Sequence, residues 1–251
     1  MTAMQDMMKD PHVNLVLSLA DDLLMLGHVQ GDWTGLGPIL EEDIASSSMS
    51  QDDLSHALML YEHLGSRFGL DPDVVAYERG IGDYRCCDLV TVPDEFDWAV
   101  AFVRRWMLAH WATPLLDHLI RTGEDDLQER CRRLRAEQAL HLMYLDDWMR
   151  RLGTGAVEAR DRMQAAIERI SPLAGMLVET PDGVATSEFD ALRSDWIAGM
   201  EEVAAAAGLS LDIELPSPDT LGGRRGVHAE HFIQQHTEMN EVRCADPGAS
   251  W

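Results

Sequence analysis

The sequence predicts an all-α protein, a four-helix bundle with additional C-terminal helices, built as one domain over residues 1–251. Three observations support this. Apolar residues recur at spacings of three and four along four long stretches. The breaks between those stretches are rich in glycine and proline. No alternating run has a partner with which it could form a sheet. The bundle core is expected over about 13–152 and a helical extension over about 153–251.

The first helix is expected over roughly 13–30, ended by the glycine-rich stretch 31–38. A second, long helix covers about 39–68, and Asp71-Pro72-Asp73 opens a short one, a carboxylate standing ahead of a proline. Residues 80–93 read as a loop. A third long helix follows Pro93, with Asp94 and Glu95 suited to its positive end, and Pro114 falls inside it. The fourth, about 124–152, carries the stripe Leu127, Cys131, Leu134, Leu145, Trp148 and Leu152 and stops at Gly153-Thr154-Gly155. Further helices are expected over 157–170, 186–207 and 228–243. The stretch 209–215 alternates and is expected to be extended. Pro216 and Pro218 then lead into Gly222-Gly223-Arg224-Arg225-Gly226. Trp98, Trp106, Trp111 and Trp148 fall at helical spacings and are expected in the core.

Composition narrows the function. Twenty basic side chains against forty-four acidic ones give a net charge of −24, which repels nucleic acid and anionic membranes. An acidic surface is the expectation, either as a solvated face or as one that docks a basic partner. Cys86, Cys87, Cys131 and Cys244 have neither zinc spacing nor a disulfide framework and read as free thiols. No uncharged run approaches the ~20 residues of a membrane span. A cytoplasmic protein is expected. No phosphate-binding glycine loop follows a strand.

The fourth helix places Glu137 and His141 one turn apart beside the apolar stripe, where helical bundles build carboxylate–histidine metal sites. A di-iron bundle also needs ligands from the other helices. On the first, Asp21 falls on the polar side and Asp22 at the stripe's margin. On the second, Asp53 and His56 are three apart but lie about 60° and 120° from the stripe's centre. On the third, His110 and Asp117 share the face of Ala99, Phe102, Val103 and Trp106 and read as a buried polar network near Pro114. The remaining metal candidates are thus Asp22, Asp53, His56, Glu137 and His141, an incomplete set. Arg224 and Arg225 stand out in so acidic a chain as grips for a phosphate or a partner's carboxylates.

Two stretches carry a resemblance. One runs from Leu19-Ala20-Asp21-Asp22 through Gly31-Asp32-Trp33 to Leu40-Glu41-Glu42-Asp43-Ile44-Ala45. The other is Gly222-Gly223-Arg224-Arg225-Gly226-Val227-His228-Ala229-Glu230-His231, continued by Glu238-Met239. Both resemble the ferritin-like structural subunit of bacterial phenylacetyl-CoA epoxidase, as do the Glu137/His141 pair and Trp148-Met149-Arg150-Arg151-Leu152-Gly153. The resemblance implies a ferritin-like bundle and a non-catalytic role in aerobic phenylacetate degradation. It implies no cofactor in this chain, with a di-iron centre in a catalytic partner subunit, and Arg224 and Arg225 as contacts to that partner or to the CoA ester. The alternatives are a di-iron oxygenase in its own right and a metal-free ferritin-like homodimer. Ser46, Ser47, Ser48 and Ser50, and the Asp53/His56 pair, depart from the family's pattern.

Overall fold

A computed structural model of the chain describes residues 3–213 and 222–246. Among these every regular element is helical. The α-helices are α1 (Ala3–Met7), α2 (Pro11–Gly31), α3 (Leu40–Phe68), α4 (Pro72–Tyr77), α5 (Trp98–Thr122), α6 (Asp125–Thr154), α7 (Val157–Ala174), α8 (Thr186–Ala206), α9 (Glu230–Met239) and α10 (Glu241–Ala245). The fold class is therefore all-α, in keeping with a ferritin-like protein. Residues 209–213 are irregular rather than a strand, and Leu215, Pro216 and Pro218 lie outside the described residues. The packing divides into two compact units, Met1–Pro93 with Gly222–Trp251, and Asp94–Leu221.

In the first unit α2 and α3 form a helical hairpin. The Asp10 carboxylate accepts from the His12 N–H at 2.9 Å, with Pro11 in the first turn, so α2 starts where its capping chemistry places it. Residues 13–27 of α2 are all buried. A helix enclosed on every side has no polar face, which is why its sequence reads as almost continuously apolar. At Gly27 a Cβ would stand 2.8 Å from the Leu54 side chain and 3.1 Å from the Ser50 carbonyl, so α2 and α3 approach at a point where only glycine fits. Ser46 and Ser50 are buried on α3, and the Ser50 hydroxyl donates to the Ser46 carbonyl at 2.9 Å. Small side chains, with the Ser50 hydroxyl satisfied within its own helix, permit this close crossing. α3 ends on Gly69 in the left-handed conformation, φ 66°.

In the second unit α5 begins on Asp97, whose carboxylate accepts from the Ala99 N–H at 2.9 Å, and is enclosed from residue 99 to 112. The Trp196 indole N–H of α8 donates to the Met107 carbonyl at 3.0 Å, and its ring meets Trp111 edge to face, 6.2 Å between centroids. Trp106 and Trp111 are buried. Trp98 and Trp148 are half-buried, their rings 6.5 Å apart. α6 buries Leu127, Cys131, Leu134, Gln138, His141, Leu145, Met149 and Gly153. That is the expected stripe, moved by one residue at its end, because a 3.6-residue period drifts against a fixed three–four pattern. Its outer faces carry one-turn ion pairs such as Arg130–Asp126 at 3.0 Å and Arg151–Asp147 at 2.7 Å.

Among the described residues no helix is long and apolar enough to cross a membrane. All four cysteines are free thiols, and Cys244 alone is exposed. Burial pushes the Cys131 thiol up to about 12 and those of Cys86 and Cys87 well above the usual thiol range. A thiol reagent added to the native protein at neutral pH is accordingly expected to modify Cys244 and leave the other three intact, with all four reacting in denaturant. Labelling followed by peptide mass mapping reads this directly.

Candidate functional site

Asp21 and Asp22 are adjacent on α2 and both are completely buried. A carboxylate in that position persists only if its charge is met. Each meets a different arginine. Arg79, just after α4, places two N–H groups on Asp21, one on Oδ2 at 3.0 Å and the other on Oδ1. The Tyr61 hydroxyl of α3 donates to Oδ1 at 2.7 Å and the Arg85 N–H to Oδ2 at 2.6 Å. The Arg79 guanidinium also lies over the Tyr84 ring, 4.2 Å from its centroid.

Asp22 is held by Arg224 from the C-terminal segment. Nη1 donates to Oδ1 and Nη2 to Oδ2, each at 2.7 Å, the two-pronged geometry that a planar guanidinium suits. The Cys87 N–H adds a third donor at 2.7 Å. Nη1 further reaches the carbonyls of Ser18 and Arg85, both at 2.8 Å. Burial raises the Asp22 carboxyl, against the opposing pull of Arg224 and the Cys87 amide. It works to lower Arg224 too, but there the charge of Asp22 more than reverses it. The direction that governs the pair is that of Arg224: a guanidinium keeps its proton, and with three donors on it Asp22 is the anion. Burial and the Asp21 charge push the Tyr61 hydroxyl well above its ordinary range, so Tyr61 remains a donor.

The glycines beside Arg224 explain how its segment comes so close. A Cβ on Gly223 would run into the Cys86 carbonyl. Gly226, at φ 77°, faces the Gly82 carbonyl where a side chain would stand. Beyond them, His228 Nδ1 lies 2.8 Å from Asp88 Oδ1, the Ala229 N–H donates to Asp88 Oδ2 at 2.7 Å, and Thr91 Oγ1 lies 2.9 Å from His231 Nδ1. The His228 ring stacks on Phe232 with centroids 3.8 Å apart. The stretch 222–231 is thus stitched along the loop 80–93.

These placements revise several expectations. Arg224, expected at a surface contact, is buried inside its own unit; Arg225 beside it is exposed. Asp21 and Asp22 are neither polar-side nor marginal, and Asp53 and His56 on α3 are both buried. On α2 angular placement against one apolar stripe fails because the helix is covered from several sides and has no solvent face for the pattern to report; on α3 it fails because the buried face itself carries Ser46, Ser50, Asp53 and His56 while the apolar Leu58 is exposed. His110 is buried as expected, but its partner is Asp146 of α6, Nε2 to Oδ1 at 2.9 Å. The same oxygen accepts the Trp106 indole N–H at 2.8 Å. Asp117 is exposed and pairs with Arg135 at 3.1 Å. Since α5 is enclosed all round at His110, the face assigned there could not be extended two turns on to Asp117. His141 is buried, while Glu137 is 39% exposed and pairs with Arg133 at 3.2 Å, so the two do not form one inward-facing couple.

Among the described residues no three His, Cys, Asp or Glu side chains come together as a metal ion would require. Asp22 does not fit a ligand's role, since Arg224 and the Cys87 amide occupy both its oxygens. Tyr61, Arg79, Arg85, Asp88 and Asp146 were not singled out from the sequence. One signal was available: two neighbouring carboxylates inside the apolar run 13–27 require two cations from elsewhere in the chain.

Removing one partner of such a pair strands a buried charge. Arg224→Ala is expected to lower stability to denaturant by about 3–5 kcal/mol, and Arg224→Met combined with Asp22→Leu by much less, as read in unfolding titrations. Burial lowers the imidazoles of His28 and His236, aided at His236 by Arg79 and His228. The unfolded chain then binds protons that the folded chain does not. Stability is expected to be full above the ordinary imidazole value of ~6.5 and to fall as pH drops below it. His236→Gln should flatten part of that slope in melting curves recorded against pH.

The chain matches the family model described as phenylacetic acid catabolic protein over residues 1–251. It is similar to one of the subunits of the 1,2-phenylacetyl-CoA epoxidase of Escherichia coli (strain K12), with 26% identity over 243 residues that cover 94% of this chain and 97% of that protein. The stretches 19–45 and 222–231, which carry the resemblance, are those that Asp22 and Arg224 join. The chain belongs to the phenylacetic acid catabolic protein family.

Proposed function

We propose that this chain is a structural, non-catalytic subunit of a phenylacetyl-CoA 1,2-epoxidase-type multicomponent monooxygenase, working in the cytoplasm in aerobic phenylacetate degradation. Family membership and the name of the E. coli relative support the pathway and the presence of partner subunits. One observation supports the non-catalytic role. The first-helix carboxylate that a di-iron site would draw on, Asp22, is fully occupied by Arg224 and the Cys87 amide. A carboxylate with two charge-assisted hydrogen bonds to one guanidinium gives up a metal's place in exchange for tying three segments together.

In this reading the di-iron centre belongs to a catalytic partner subunit and no cofactor resides in this chain. What the chain contributes is a rigid helical surface against which the partner is held. Arg225, exposed beside the buried Arg224, is the cation placed to meet a partner carboxylate or a CoA phosphate.

Co-expression with the catalytic subunit tests this. A stable heteromeric complex is expected, with iron in the catalytic subunit and none in this chain purified from iron-supplemented cells. The double variant Glu137→Ala/His141→Ala should leave the iron content of the complex unchanged. Two iron equivalents bound to this chain alone and lost in that variant would establish the rival, a di-iron oxygenase in its own right. A homodimer that ignores the catalytic subunit would establish a metal-free homodimer instead.

A further inference from the structure

Within the unit Asp94–Leu221, a cavity of about 320 Å³ opens between α5, α6 and α8. His110 forms part of its lining, with Asp146 and Arg150 of α6 and, on α8, Leu192, Asp195, Gly199 and Glu202. The volume is at the lower end of ligand sites, enough for a small polar group rather than a cofactor.

The charged lining is mostly acidic, with Asp117, Asp146, Asp195 and Glu202 against Arg121 and Arg150. His110 gives its Nε2 to Asp146, so in the neutral ring the proton sits on Nε2 and Nδ1 is a bare acceptor. The His110 side chain is only 6% exposed, and among the described residues Nδ1 has no hydrogen-bond partner, yet it is not one of the atoms sealed from solvent. It opens on the cavity. Gly199 stands opposite: a Cβ there would lie 3.1 Å from Nδ1. Glycine in the middle of a helix weakens it, and here its missing side chain is what leaves Nδ1 uncovered. Asp195 and Glu202 lie four before and three after Gly199, on the same face of α8. Both are exposed, and among the described residues neither is engaged in a hydrogen bond or an ion pair. The donors present face partners on their own helices. The Thr113 hydroxyl donates to the Ala109 carbonyl at 3.2 Å, Arg121 Nε to the Asp117 carbonyl at 3.4 Å, and Arg150 lies 3.9 Å from Asp146.

The buried imidazole lone pair and the two exposed carboxylates are the set of acceptors in the lining that, among the described residues, no hydrogen bond engages. The set does not hold a metal, since among the described residues no three ligating side chains converge. We propose that this cavity binds a cationic N–H donor, an alkylammonium or guanidinium group, with His110 Nδ1 accepting one N–H and Asp195 and Glu202 matching the charge. Such a group can come from a free amine or from a lysine or arginine side chain of a partner protein.

Titration of the whole chain with butylammonium and ethylguanidinium chloride, followed by calorimetry and by the 15N shift of His110 Nδ1, tests the site. Saturable one-to-one binding that moves the His110 signal is expected. Asp195→Asn and Glu202→Gln, both at exposed positions and so expected to leave the melting temperature unchanged, should each weaken it about tenfold. Gly199→Ala should weaken it as well by covering Nδ1. Tetramethylammonium, a cation without N–H, should not compete. Equal binding of tetramethylammonium, or affinity indifferent to both carboxylate variants, would overturn the proposal. Repeating the titration on the co-expressed complex distinguishes the sources. A cavity closed to the probes there points to a partner's basic side chain, and one still open points to a free amine. If no complex forms, the proposed function fails, and the titration of the chain alone still judges the cavity.

Discussion

Two neighbouring buried carboxylates govern the first unit. Consecutive residues on a helix point about 100° apart, so Asp21 and Asp22 leave α2 in different directions and cannot share one cation. Each needs its own, and α2 supplies neither. Arg79 answers from the end of α4 and Arg224 from the C-terminal segment, more than two hundred residues from Asp22 along the chain. Once both arginines are in place, the loop between them has little freedom. The Arg85 and Cys87 amides complete the two carboxylates, and the carbonyl of Arg85 returns to Arg224. The stretch 80–93, whose regular structure is two short 3-10 helices, Ile81–Asp83 and Asp88–Thr91, is thereby held through hydrogen bonds to charge.

Such pairs are weak sources of net stability, because desolvation opposes the attraction. Their value lies in what they exclude. A chain that misplaces the segment 222–231 leaves Asp22 buried and unmet, a state far costlier than a merely loose hydrophobic contact. The glycines at 223 and 226 and the His228–Asp88 contact make the correct placement possible at backbone distance. The cluster thus acts as a specificity device for the fold, and the same commitment of Asp22 removes it from metal chemistry.

Among the described residues, burial withdraws arginines and carboxylates from the surface in equal number. Arg79, Arg85, Arg104, Arg105 and Arg224 are all buried. Asp21, Asp22, Glu42, Asp53 and Glu179 are buried as well, so the buried charges cancel and the remainder carries the full −24 of the chain. A net charge of that size steers basic partners by long-range attraction, and the amine site proposed between α5, α6 and α8 has the same preference at the scale of a single side chain.

Periodicity alone determined the all-α class, the order of the long helices and most of their ends, since three–four spacing, capping carboxylates and glycine or proline stops are local signals. It also brought out Asp22, His110 and His141 as residues out of the ordinary, the acidic composition brought out Arg224, and the resemblance along 19–45 and 222–231 identified the family. Which of these residues meet was beyond its reach. Asp117 was matched to His110 by face, where the fold chose Asp146; Arg224 looked like a surface grip and is a buried counter-ion; Asp53 and His56 looked peripheral and are enclosed. In each case the deciding contact joins residues far apart in the chain, or the buried face of the helix is itself polar, as on α3, so that an apolar stripe no longer says which way is in. Local spacing records how a helix turns, and only tertiary packing decides what stands against each of its faces.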